Sequence, residues 1–172
     1  KTLEIFDYKK ETINAVDFFI NKYLNEVKSS LSENIFQTKI LRKYGFAKIP
    51  LAWGSDDLAL MCFSNYKDFF YNRKSVVKVR ISSSSISGSE KMSTQKKIAY
   101  NNFRETVILK YAQRLPSNFM IKLIEEYLSF CHIQKQAAKF SVATYFLKSL
   151  NISKYSKTIK RIYYINKIAG GL

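Results

Sequence analysis

The side chains able to do acid–base or nucleophilic chemistry are few and poorly grouped. Two adjacent acid pairs, Asp56-Asp57 and Glu125-Glu126, could share a proton or begin a metal site, but neither brings a third ligand or a lysine at the spacing of a nuclease centre. Asp56-Asp57 follows Gly54-Ser55 and reads as turn chemistry, while Glu125-Glu126 reads as the wet edge of a helix. His132, the one histidine, stands beside Cys131, and adjacent residues on a helix diverge rather than act together. Cys62 and Cys131 lie far apart, without the spacing of a disulfide framework or a ligand set, so each is expected as a reduced core residue of an intracellular protein. Glycine-rich phosphate loops and nucleophile elbows are absent from the sequence. The expectation is a chain that catalyses no reaction and carries no metal or cofactor.

What the side chains do offer is charge. Lys and Arg number 29 against 13 Asp and Glu, a formal net of +16, well beyond what solubility asks of a chain this size. The excess is uneven, with a net of +1 over residues 1–57 and +15 over residues 58–172. After Glu126 no acid remains, yet Lys135, Lys139, Lys148, Lys154, Lys157, Lys160, Arg161 and Lys167 follow. A field of one sign over that length attracts phosphate. A lysine-rich composition also follows from an AT-rich genome, but that bias does not remove Asp and Glu. A polyanionic partner is therefore expected, and nucleic acid is the polyanion favoured, DNA before RNA.

Three constellations could carry the contact. Residues 143–163 resemble a helix-turn-helix: an apolar helix, a turn at Leu150-Asn151-Ile152-Ser153, then a basic helix offering Lys154, Lys157, Thr158, Lys160, Arg161, Tyr164 and Lys167 to phosphates and base edges. The turn lacks the usual glycine, and residues 153–158 are longer than the common pattern, so a plain pair of basic amphipathic helices is the alternative. A second set is Arg73, Lys74, Lys78 and Arg80, with Tyr66, Phe69 and Tyr71 upstream; aromatic rings beside cations can stack and hold single strands, although aromatics near a strand more often belong to the core. The third is Lys96, Lys97, Arg104, Lys110 and Arg114 along one helix, which a solvated face explains equally well.

The elements that must position these residues follow from hydrophobic period. At 47% hydrophobic and 15% aromatic, with two prolines and five glycines, the chain can bury a substantial core and favours long helices. Ile13, Val16, Ile20, Tyr23, Leu24, Val27 and Leu31 recur at helical steps over residues 11–31, and a shorter helix is expected over 33–44, closed by Gly45. Residues 47–53, 58–63 and 75–82 read as three short antiparallel strands, with a turn at 54–57. Residues 94–114, 117–130, 134–150 and 157–168 then read as helices, with Pro116 starting the second of them.

The fold class expected is α+β, predominantly α. Its parts would be N-terminal helices and a small β meander over 1–83, a Ser-rich loop or linker over 84–93, and a basic helical bundle over 94–172. No apolar run approaches the ~18 residues of a transmembrane helix. The chain opens at Lys1 rather than Met, as expected of a segment of something longer. Two other readings stand beside nucleic-acid binding: a structural subunit of a ribosomal, replication or chromatin assembly, docking on other proteins, and peripheral binding to an anionic membrane.

Overall fold

The structure, a computed structural model, describes residues 10–72, 74–75, 77–78, 92–136, 138–139, 141–142 and 145. It is predominantly helical, with a small antiparallel two-stranded sheet. The chain divides into two compact units, Lys1–Ala99 and Tyr100–Leu172.

In the N-terminal unit, β1 (Thr12–Asn14) leads directly into α1 (Ala15–Tyr23). Asn14 makes the junction, because its side-chain oxygen accepts from the N–H groups of Val16 and Asp17, which helix geometry leaves unpaired. Its amide group donates to Asp68 across the sheet, at 3.2 Å. β1 pairs with β2 (Asp68–Phe70) in the register Thr12↔Phe70, Ile13↔Phe69, Asn14↔Asp68. Ile13, Phe18 and Val27 form a buried cluster against which Leu60, Phe69 and Tyr71 pack.

α1 stops well short of residue 31. Asn25 takes φ 62°, and the N–H groups of Asn25 and Glu26 return to the carbonyls of Lys22 and Asn21, a Schellman closure that asparagine tolerates better than other side chains. The same closure ends α3 (Ser55–Phe63) at Asn65.

α3 corrects the meander expected over 47–82. Residues 58–63 are helical rather than extended, and Leu58, Ala59 and Met61 are buried. Asp56 and Asp57 occupy the first turn of this helix, where negative charge suits the exposed N–H groups. Residues 47–53 contain a 3-10 turn, Pro50–Ala52, because Pro50 has no N–H to give a ladder and Leu51 and Ala52 adopt positive φ. Of 75–82, the described residues Ser75, Val77 and Lys78 are not in a strand, and the remainder lies outside the described residues.

α2 (Thr38–Tyr44) is capped by Gly45 at φ 64°, ψ 178°, a conformation essentially confined to glycine. A Cβ placed there would meet nothing within 4 Å, so substitution strains the backbone without a clash. Gly45→Ala is expected to cost about 1–3 kcal/mol, measured as a lower midpoint of urea unfolding followed by Trp53 fluorescence. A loss below a few tenths of a kcal/mol would mean that the turn relaxes freely.

The C-terminal unit is built on a helical hairpin whose first helix begins before Tyr100. α4 (Ser93–Tyr111) and α5 (Ser117–Ile133) are joined through the 3-10 turn Ala112–Arg114, with Pro116 immediately before α5. Contacts between Asn101 and Cys131, and between Arg104 and Glu126, set the two helices antiparallel. The stripe Ala99, Phe103 and Val107 is buried on α4, as are Met120, Leu123, Ile124, Tyr127 and Leu128 on α5. After α5 the chain reverses at Lys135 (φ 51°) and folds back. Ala138 and Val142 are buried, the Lys139 N–H donates to the Tyr127 hydroxyl, and Ser141, Val142 and Tyr145 are helical.

Candidate nucleic-acid interface

Of the residues expected at the interface, Lys74 and Lys78 are described, and both are exposed. Lys74 sits in a turn whose geometry Asn72 sets, since the Asn72 side-chain oxygen accepts from the Lys74 N–H at 2.9 Å and its amide donates to Ser75. Arg73, Arg80, Lys154, Lys157, Thr158, Lys160, Arg161, Tyr164 and Lys167 lie outside the described residues, as do the helix-turn-helix and most of the Ser-rich segment.

Phe69 and Tyr71, upstream of Lys74, serve the core rather than a stacking surface, while Phe70 between them is 70% exposed. Phe69 meets Phe18 edge to face with ring centres 5.3 Å apart, and Phe69 and Tyr71 pack on the buried cluster of Ile13, Phe18 and Val27. Tyr66 is half-buried, with its hydroxyl 3.9 Å from the Cys62 sulfur.

The basic residues of α4 divide between two roles. Arg104 lies over the Tyr100 ring at 4.1 Å and gives both Nε and a terminal nitrogen to one oxygen of Glu126, so it is part of the hairpin. Lys97 and Lys110 are exposed, as is Arg114 in the 3-10 turn that follows.

Several of the described acids are taken within the fold. Lys139 Nζ reaches Glu105 at 2.6 Å, and Arg104 holds Glu126. In the N-terminal unit, Lys22 at the end of α1 pairs with Asp57 and lies 3.5 Å from Asp56. Asp68 accepts from Asn14, and Glu33 accepts from the Ser30 N–H to close a short capping box. Burial nevertheless holds the Asp57 carboxyl up at about 6, against the pull of Lys22. Sequence reasoning missed Lys22 as the partner of the Asp pair, because the two are brought together only by the packing of α1 on α3.

Among the described residues, Cys131 and His132 do not converge on one site. Cys131 is buried and its neighbour His132 exposed, so the two face different surroundings. Burial pushes the Cys131 thiol above its ordinary range, away from the thiolate a nucleophile needs. Burial likewise pushes the Tyr127 hydroxyl up. No three His, Cys, Asp or Glu side chains among the described residues are grouped to hold a metal ion.

Aromatic rings that stand in solvent beside cations occur elsewhere, around α2. Residues 34–55 contain Lys39, Arg42, Lys43 and Lys48 and no acid, a signal that the small net charge of the N-terminal third conceals. Tyr44 and Phe46 are exposed, at 62% and 40%, on either side of Gly45. Both rings face Phe63, with centres 6.4 and 6.3 Å away, and Phe36 meets Phe46 and Phe63 edge to face. Among the described residues no helix is long and apolar enough to cross a membrane. No protein-family model, curated protein or solved structure matches the chain.

Proposed function

We propose that this protein binds nucleic acid, duplex DNA in preference to RNA, through basic surfaces of its C-terminal half and without catalysing a reaction. The observation that carries the reading is the net +15 of residues 58–172, in a fold where Glu105 and Glu126 are already paired to Lys139 and Arg104. Acids paired within the fold leave exposed cations such as Lys74, Lys78, Lys97 and Lys110 to external anions, and the phosphates of nucleic acid are a dense source of those. The helix-turn-helix proposed from residue 143, its second helix continuing over 157–168, would place Lys157, Thr158, Lys160, Arg161, Tyr164 and Lys167 on a helix that fits the major groove of B-form DNA, with Lys154 at its approach. The deep, narrow major groove of A-form RNA excludes such a helix, hence the preference for DNA.

The test is retention on duplex DNA, on a single strand and on structured RNA, measured side by side over a range of salt. The expected result is tightest binding to the duplex, with log K falling linearly against log salt at about 0.9 per phosphate neutralised. A flat salt response, or no retention, removes the proposal.

A second reading, a subunit docked on other proteins, draws on apolar side chains in solvent: Ile35 is fully exposed and Ile133 is 72% exposed. Self-association of the purified chain that resists nuclease treatment would favour it over the first.

A further inference from the structure

Resting on nucleic-acid binding as the chain's function, we infer a second, separate contact in the N-terminal unit: the surface of α2 and the Gly45 turn takes single-stranded nucleic acid by stacking bases on Tyr44 and Phe46. Three features of the surface point to that ligand. Lys39, Arg42 and Lys43 fall at positions i, i+3 and i+4 of α2 and so share one face of the helix. All three are exposed, Lys48 follows shortly after, and none of the four is in an ion pair with a described acid. The rings beside this face are held rather than loose, because the backbone conformation of Gly45 carries the chain from one to the other and Phe63 supports both. The Lys43 ammonium lies 4.9 Å from the Tyr44 ring centre, so cation and ring already occur as one unit.

Rings and cations together suit a ligand that alternates flat apolar groups with negative charge at short intervals. A single strand does so, and its bases are free to leave one another for a protein ring. In a duplex the base faces are occupied by stacking, so Tyr44 and Phe46 would gain little there. A concavity of about 240 Å³ beside Phe46, lined by Leu31, Ala47, Ala52, Ser55 and Asp56, leaves room next to the ring. Its one acid, Asp56, lies 3.5 Å from Lys22, which offsets its repulsion of a phosphate.

The test uses the full chain with three probes: a 20-nucleotide oligo(dT), an abasic strand with the same number of phosphates, and a duplex. Wild type should bind oligo(dT) more tightly than the abasic strand, because only the former can stack. Tyr44→Ala should weaken oligo(dT) binding about five- to one-hundredfold, leave the abasic strand and the duplex unchanged, and be rescued by Tyr44→Trp. Arg42→Glu with Lys43→Glu should weaken both single strands. Circular dichroism melts establish that each variant folds, and Tyr44, being mostly in solvent, is a mild site to truncate.

Unchanged oligo(dT) binding in folded Tyr44→Ala overturns the inference while duplex binding and its salt slope leave the broader function standing. Equal wild-type affinity for the dT and abasic strands overturns it too. So does a wild-type dimer that Tyr44→Ala dissociates without touching oligo(dT) binding, which would make the surface a protein contact. Failure of wild type to retain any probe removes both proposals.

Discussion

Lys22→Met is expected to destabilise the N-terminal unit by about 3 kcal/mol at pH 8 and by about 1 kcal/mol or less at pH 5. The substitution keeps the length and apolar stem of the side chain and removes only its charge, leaving Asp56 and Asp57 half-buried without their cation. Burial already raises the Asp57 carboxyl from 3.8 to about 6, with Lys22 acting in the opposite direction. Between those two values the unfolded chain gives up the Asp57 proton while the folded chain keeps it. Stability from this group is therefore present in full below pH 4 and is lost as the pH rises through 6. Removing Lys22 lifts the folded value further and enlarges the cost of the ionised form, which is why the loss concentrates at high pH.

The chain's one tryptophan, Trp53, lies in this unit, so urea unfolding followed by its fluorescence reports the unit directly. Asp57→Asn, introduced with Lys22→Met, should recover part of the loss at pH 8 and flatten the slope between pH 4 and 6. An equal loss at pH 5 and pH 8 would mean that Lys22 contributes through its methylenes and not through the ion pair.

That ion pair also marks where the sequence stopped being legible. α4 and α5 are legible because Phe103 and Val107, and Ile124 and Leu128, repeat at four-residue steps, and because Pro116 punctuates them, whereas the helix expected from residue 134 is delayed by the reversal at Lys135 and the one expected over 157–168 lies outside the described residues. Residues 58–63 are ambiguous in the sequence because six consecutive apolar residues have no period. Yet Leu-Ala-Leu-Met-Cys-Phe lacks any β-branched residue, and the acids before it suit a helix start. In the first helix the error ran the other way. Ile13 fits the helical stripe, but the side chain of Asn14 satisfies the N–H groups of a helix that begins after it, leaving Thr12–Asn14 to pair with Asp68–Phe70. Asn25 and Asn65 then stop two helices by a backbone conformation that polar composition alone does not announce.

Site residues divided along the same line. Net charge is a sum over the sequence, so it can be read before any fold is known. Whether an aromatic ring is exposed depends on what packs against it, and nothing local separates Phe69, which packs into the core, from Phe46, which stands in solvent. The pairing of Lys22 with Asp57 joins residues 35 positions apart and obeys no helical spacing.

The distribution of binding between the two halves of the chain can be measured by reversing charge in pairs. Lys160→Glu with Arg161→Glu should lower duplex affinity at every sequence tried and reduce the salt slope by about 2, one unit for each phosphate contact removed. The same reversal at Lys9 and Lys10 should leave the slope unchanged, because that region carries nearly balanced charge. Both pairs change the net charge by the same amount, so a general loss of attraction would show equally in each. The difference between the two slopes therefore reports contacts rather than the overall field. Salt dependence is the better readout than affinity at one salt, since a folding defect lowers affinity without removing counterions from the contact. Equal slopes in the two variants would take the last basic segment out of the interface, and would leave the exposed cations of α4 and of the turn at Lys74 as the groups to reverse next.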